Sequence, residues 1–135
     1  MLEVYIDGAS KGDPGPSGAG IFIKNGKMVE EYSIPLGVMS NHEAEFKALV
    51  HALNLCQHKK DSIISIRTDS QLVANAMDKG FVKNKKFEHL LKECVEIQSK
   101  LPLCFVKWIP SKENSNADRL AKEGIRKTER GDNHE

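Results

Sequence analysis

The stretch GIFIKNGKMVEEYSI, residues 20–34, decides how the fold is read. Gly20 to Lys24 and Met28 to Ile34 are strand-forming runs joined at Asn25-Gly26, the pair best suited to a two-residue hairpin turn. Upstream, Leu2-Glu3-Val4-Tyr5-Ile6-Asp7 is another strand-like run. Between it and the hairpin, Gly8 to Gly18 is rich in glycine and proline, which predicts tight turns in place of regular structure. Strands over about residues 2–7, 20–24 and 28–34 therefore form an antiparallel meander. Downstream, Phe46, Leu49, Val50, Leu53 and Cys56 share one face of a helix over about 42–58, with Ser40 and Asn41 as caps. A strand over 62–68, a short helix over 70–78, an amphipathic helix over 86–100, a strand over 103–109 and a helix over 114–127 complete the chain. Leu103 to Ile109 has apolar residues on both faces, as expected for a covered, partly parallel strand. The order βββαβααβα specifies one α/β domain with a mixed five-stranded sheet, residues 1–127, and a polar tail at 128–135.

Composition narrows the function classes. The 135 residues are 39% apolar and 29% charged with a net charge of +1, ordinary for one soluble domain. No apolar run approaches the roughly 18 residues that span a membrane, and no signal-like segment opens the chain, so a cytoplasmic monomer is expected. Cys56, Cys94 and Cys104 each fall within an apolar pattern and are expected to be buried, reduced thiols. The chain is not globally basic, so any nucleic-acid binding must be local. Its best local patch is Lys79 to Lys86, where Lys83, Lys85 and Lys86 surround an otherwise uncharged stretch beside Phe81.

Four acids occupy separate contexts that each hold a carboxylate still. Asp7 ends the first strand, Glu45 lies early in the first helix, Asp69 ends the fourth strand, and Asp118 lies early in the last helix. Hard divalent cations take oxygen ligands, and a carboxylate cluster is what a two-metal phosphodiesterase requires. Only folding can gather residues so far apart.

The segments around these acids carry a resemblance. Asp7-Gly8 with Gly12-Asp13-Pro14-Gly15-Pro16 resembles the DGS…GNPGP opening of type 1 ribonucleases H. Ser40-Asn41-His42-Glu43-Ala44-Glu45 resembles TNNxAE, Thr68-Asp69-Ser70-Gln71 resembles TDSQ, and Glu113-Asn114-Ser115-Asn116-Ala117-Asp118 resembles ENxxAD. The resemblance implies a sheet of strand order 3-2-1-4-5. It also implies Mg2+- or Mn2+-dependent hydrolysis of the RNA strand of an RNA/DNA hybrid, with two ions present when substrate is bound. Asp7, Glu45, Asp69 and Asp118 become the metal-binding catalytic quartet. Asp7 bridges both ions, Glu45 and Asp69 share one site, and Asp118 stands on the attacking-water side. Gly8, Ala9, Ser10, Ser70 and Gln71 become contacts to the RNA strand. Ser40 and Asn41 match a pocket for a DNA-strand phosphate, and Lys83, Lys85, Lys86 and Lys112 supply cations.

The chain also departs from the family pattern. Asp13 stands where Asn is usual, and His42 replaces the second Asn of TNN. The segment from Gly80 to Lys86 is too short for a basic helical protrusion, and the loop before Asp118 has no histidine. An intact metal centre with weaker hybrid binding and slower turnover is the expectation. The second reading is a weakly active or inactive nucleic-acid-binding domain of the same fold.

Overall fold

A computed structural model describes residues 1–59 and 62–131. The expected tail beyond residue 131 lies outside the described residues. Strands β1 (Leu2–Ser10), β2 (Gly15–Asn25) and β3 (Met28–Met39) are followed by α1 (Asn41–Cys56), β4 (Ile64–Thr68), α2 (Gln71–Lys79), α3 (Glu88–Gln98), β5 (Cys104–Trp108) and α4 (Ser115–Glu129). Single 3-10 turns at Lys85–Phe87 and Ser111–Glu113 lead into α3 and α4. The sheet order is β3-β2-β1-β4-β5, antiparallel across the first three strands and parallel from β1 through β4 to β5. That is the order the resemblance implied.

The meander is longer than the glycine- and proline-rich sequence suggested. Gly8, Ala9 and Ser10 continue β1 and pair with Ala19, Gly18 and Ser17, leaving only residues 11–14 as the turn. Glycine here serves close approach instead of turning. A Cβ built on Gly8 would lie 2.1 Å from the Ala44 carbonyl oxygen, and one on Gly20 would lie 2.1 Å from that of Ala117. Gly8 pairs with Ala19 and Gly20 with Asp7, so the two glycines point to opposite faces. The backbone of α1 therefore rests directly on one face of the sheet, and that of α4 on the other.

Between α1, α3 and the sheet lies the main core, with Val4, Ile6, Ile21, Phe46, Leu49, Leu53, Ile64, Ile66 and Leu90 almost wholly buried. Helix α4 crosses β2, β3 and β1 and leaves the outer face of β5 open. Phe105 is consequently 57% exposed, and the expectation of two covered faces fails for β5. Helix α4 also runs to Glu129, past its expected end at 127. Thr128 explains the extension: its hydroxyl donates to the Ser17 carbonyl at 2.7 Å and accepts from the Gly37 amide at 3.3 Å. The three cysteines are buried and free, and burial pushes the Cys56 and Cys94 thiols up to about 12 and Cys104 to about 11. They are inert packing residues.

Candidate active site

Parallel pairing of β1 with β4 ends at Ile6 and Thr68. The next residue on each strand is an acid, so Asp7 and Asp69 emerge side by side at the C-terminal edge of the sheet. Glycine packing supplies the other two acids. Gly8 lets α1 approach until Glu45 sits beside the end of β1, and Gly20, paired with Asp7, admits the first turn of α4 with Asp118. The other three carboxylates all act on Asp7. Burial, then the charges of Asp69, Asp118 and Glu45, and hydrogen bonding to Asp118, push the Asp7 carboxyl up to about 8. Lys122 partly offsets the charge of Asp118 at 3.0 Å.

The four carboxylates make an all-oxygen donor set, which suits a hard divalent cation. Burial is the larger cause of the raised Asp7 carboxyl, but the three neighbouring carboxylate charges add to it, and a cation among them would relieve that repulsion. Among the described residues no three His, Cys, Asp or Glu side chains stand grouped so as to hold a metal ion as they are. A hard ion that keeps waters and a substrate phosphate among its ligands would need only part of its shell from these carboxylates.

A consequence for stability follows from Asp7. In the unfolded chain its carboxyl ionises near 3.8, and in the folded chain near 8. Between those values the folded state binds the extra proton, so stability falls as pH rises through the window and levels off above it. Asp7→Asn removes this slope and raises metal-free stability at pH 8 by at least about 1 kcal/mol, since each pH unit carries about 1.4 kcal/mol and screening reduces the total. Urea melts of both forms from pH 5 to 9 check this, and parallel pH curves would contradict it.

Residues expected to contact substrate divide into two groups. Several are committed to architecture. Ser40 caps α1 by accepting from the Glu43 amide at 3.2 Å, and Ser70 caps α2 through the Val73 amide, also at 3.2 Å. The Ser10 hydroxyl is engaged with main-chain carbonyls, including that of Met39 at 2.9 Å. Asn41 accepts from the Ser10 amide through its side chain and donates its own amide to Asp13 at 3.2 Å. These bonds fasten the β1–β2 turn to the start of α1. The second group is less committed: Ala9 is half-buried past the end of β4 and Gln71 is exposed at the start of α2, whereas Gly8 is buried beneath α1. Lys83, Lys85 and Lys86 are exposed on the segment before α3, and Lys112 is exposed in the turn before α4. The structure does not bring these lysines into the carboxylate cluster.

Three further residues shape the site and were given no role in it from sequence. Asn114 is 1% exposed, and its amide group donates to the Ile6 carbonyl at 2.8 Å while its main-chain oxygen accepts from the Asp118 amide at 3.0 Å. It therefore locks the start of α4 to the residue before Asp7, although its own Oδ1 has no partner. Trp108 donates from its indole to the Asp69 carbonyl at 3.2 Å. His42 Nδ1 lies 2.9 Å from Glu45 Oε1. The signal for His42 was its i,i+3 spacing to Glu45, and that for Asn114 was its place in the segment leading to Asp118.

Residues 5–124 match a family model described as reverse transcriptase-like. EbsB of Enterococcus faecalis, provisionally named a hydrolase, is 36% identical over 94% of this chain and 96% of its own length. Ribonuclease HI of Halobacterium salinarum is 32% identical over 92% of this chain and 64% of its own. The solved structure of RNase H1 from that archaeon superimposes with a TM-score of 0.85 at 29% identity, over 93% of this chain and 97% of the other. LC11-RNase H1, isolated from compost, gives a TM-score of 0.86 at 30% identity, over 94% and 96% of the two chains. The same LC11 protein in complex with an RNA/DNA hybrid gives 0.84 at 28% identity, over 94% and 98%.

Proposed function

Because the chain belongs to the type 1 ribonuclease H family, we propose that it hydrolyses the RNA strand of RNA/DNA hybrids to 5′-phosphate and 3′-hydroxyl ends with two Mg2+ or Mn2+ ions. The observation that carries this reading is the convergence of Asp69, Asp118 and Glu45 on Asp7, where burial and then their charges raise the Asp7 carboxyl to about 8. The cations, when bound, supply an activated water and charge to stabilise the departing 3′-oxygen. Asp7, which the other three carboxylates surround, would be the ligand common to both cations. Glu45 and Asp69 would help hold the cation that stabilises the leaving group, and Asp118 would serve the one that activates water. The pair with Lys122 leaves the Asp118 side chain 46% exposed, which suits a ligand that water and substrate must also reach.

Choice of RNA over DNA requires contact with 2′-hydroxyls. We assign that contact to the main chain of Ala9, which lies past the end of β4, and to the exposed Gln71 amide, with the buried Gly8 contributing through the close approach of α1 that it permits. The serine hydroxyls at 40 and 70 contribute through the helix starts they cap. The strand cleaved and the ends formed test the proposal. The RNA of a hybrid is cut to ligatable 3′-hydroxyl products, while an all-DNA duplex of the same sequence stays intact; 2′,3′-cyclic ends would refute the mechanism.

Hybrid affinity rests on the lysine segment. Changing Lys83, Lys85 and Lys86 together to Ala is expected to weaken binding about tenfold at low salt and to reduce the slope of log K against log salt by up to about 3. A fluorescence-anisotropy salt titration reads both. An unchanged slope identifies the segment as a solvated loop.

A further inference from the structure

We infer that His42 is a positioning residue for Glu45, setting one carboxylate oxygen so that the other faces the cation. The inference rests on the proposed function and adds to it a residue at which this chain departs from its family pattern.

The contact is built on both sides. An ionised carboxylate only accepts hydrogen bonds, so Nδ1 of His42 carries the proton and donates to Glu45 Oε1 at 2.9 Å. That bond leaves Oε2 uncommitted. The Glu45 side chain is 15% exposed and that of His42 is 58% exposed, so the histidine covers the carboxylate from the solvent side. On its other side, the imidazole meets the ring of Phe87 edge-on, with centroids 6.1 Å apart and planes at 80°. Phe87 is itself buried and stacked on Phe46 at 5.6 Å. Asn84 fixes the turn that carries Phe87 by accepting from the Lys86 amide at 3.0 Å.

A pair at i,i+3 on an open helix surface spends most of its gain on ordering two side chains. Here the aromatic wall restricts the imidazole before the bond forms, so the bond orders Glu45 instead of merely accompanying it. Hydrogen bonds to ligating groups commonly alter metal affinity 10- to 100-fold. The exposure of His42 places this one at the low end, about tenfold.

Metal-free full-length chain is titrated with Mn2+ and with Mg2+ by calorimetry and by the fluorescence of Trp108. This is the only tryptophan in the chain, and it is hydrogen-bonded to the Asp69 carbonyl. His42→Phe keeps an aromatic ring against Phe87 and deletes the donor; it is expected to raise the cation dissociation constant about tenfold. His42→Gln restores an N–H and is expected to recover most of that loss. In hybrid cleavage, His42→Phe lowers kcat at limiting cation, recovers at high cation, and leaves KM unchanged. Native affinity in His42→Phe would overturn the inference, and so would a His42→Gln variant as weak as His42→Phe. Asp7→Asn separates the two levels. If the native chain takes up cation, Asp7→Asn does not, and both His42 variants match native, the inference fails alone; if the native chain takes up none, the proposed function fails with it.

Discussion

Asp69→Asn lowers cleavage of an RNA/DNA hybrid by a factor on the order of a thousand or more, without loss of fold. Asp69 follows Thr68, the last residue of β4 to pair with β1, and so stands next to Asp7. The substitution keeps size and shape and deletes one negative charge from a site that must hold divalent cations. Charge stabilisation by a bound metal contributes several kcal/mol to the transition state, and a thousandfold is about 4 kcal/mol. Stability moves the other way. Asp69 is the first among the neighbouring charges that raise the Asp7 carboxyl, so its loss relieves repulsion in the metal-free chain. Single-turnover cleavage and a thermal melt of the same preparation check both halves. Retained cleavage would mean that the cluster is not the reacting site, and a collapsed melt would mean that Asp69 is structural.

Gly8→Ala is expected to destabilise the chain by about 3 kcal/mol and to cut activity further than the stability loss explains. The added methyl would stand 2.1 Å from the Ala44 carbonyl oxygen and 2.6 Å from the Glu45 amide nitrogen. Both are backbone atoms, so no side-chain rotation clears them, and α1 must lift off the sheet. Overpacking of this kind costs about 1–3 kcal/mol, occasionally more, and lowers Tm by about 10 °C in a domain of this size. Lifting α1 also displaces Glu45, and a misplacement of about 1 Å at a catalytic group costs on the order of a hundredfold. Gly26→Ala is the control. Gly26 has φ +63° and open space around it, so its cost is backbone strain of about 1 kcal/mol with activity intact. Equal losses of activity in the two variants would show that α1 has no special hold on the site.

Much of the architecture was legible because the informative residues act locally. Asn25-Gly26 made a hairpin, the apolar stripe from Phe46 to Cys56 made a buried helix, and the element order specified a mixed five-stranded sheet whose strand order came from the family resemblance. Gly8 and Gly18 in the first loop misled, since their local property is turning while their use here is to admit helix backbones that arrive from residues 44 and 121. Such long-range contact leaves no periodic trace. β5 misled for a related reason: an apolar residue at 105 suggests a cover, but which strands α4 crosses depends on tertiary packing. The four acids were legible as separate carboxylates at strand and helix ends; the strand order brings Asp7 beside Asp69, while Glu45 and Asp118 arrive through helix packing on Gly8 and Gly20. The roles of Asn114 and Trp108 were not legible, because each acts through a carbonyl on another strand or turn, and any residue has a carbonyl.

The measurement that bears most directly on the account is the single-turnover cleavage rate of an end-labelled RNA/DNA hybrid by the native chain, taken in Mg2+, in Mn2+ and in a chelator. Cation-dependent cleavage confined to the RNA strand, abolished by the chelator and by Asp7→Asn, is the predicted result. No cleavage in either cation, or cleavage that persists in the chelator, would contradict it.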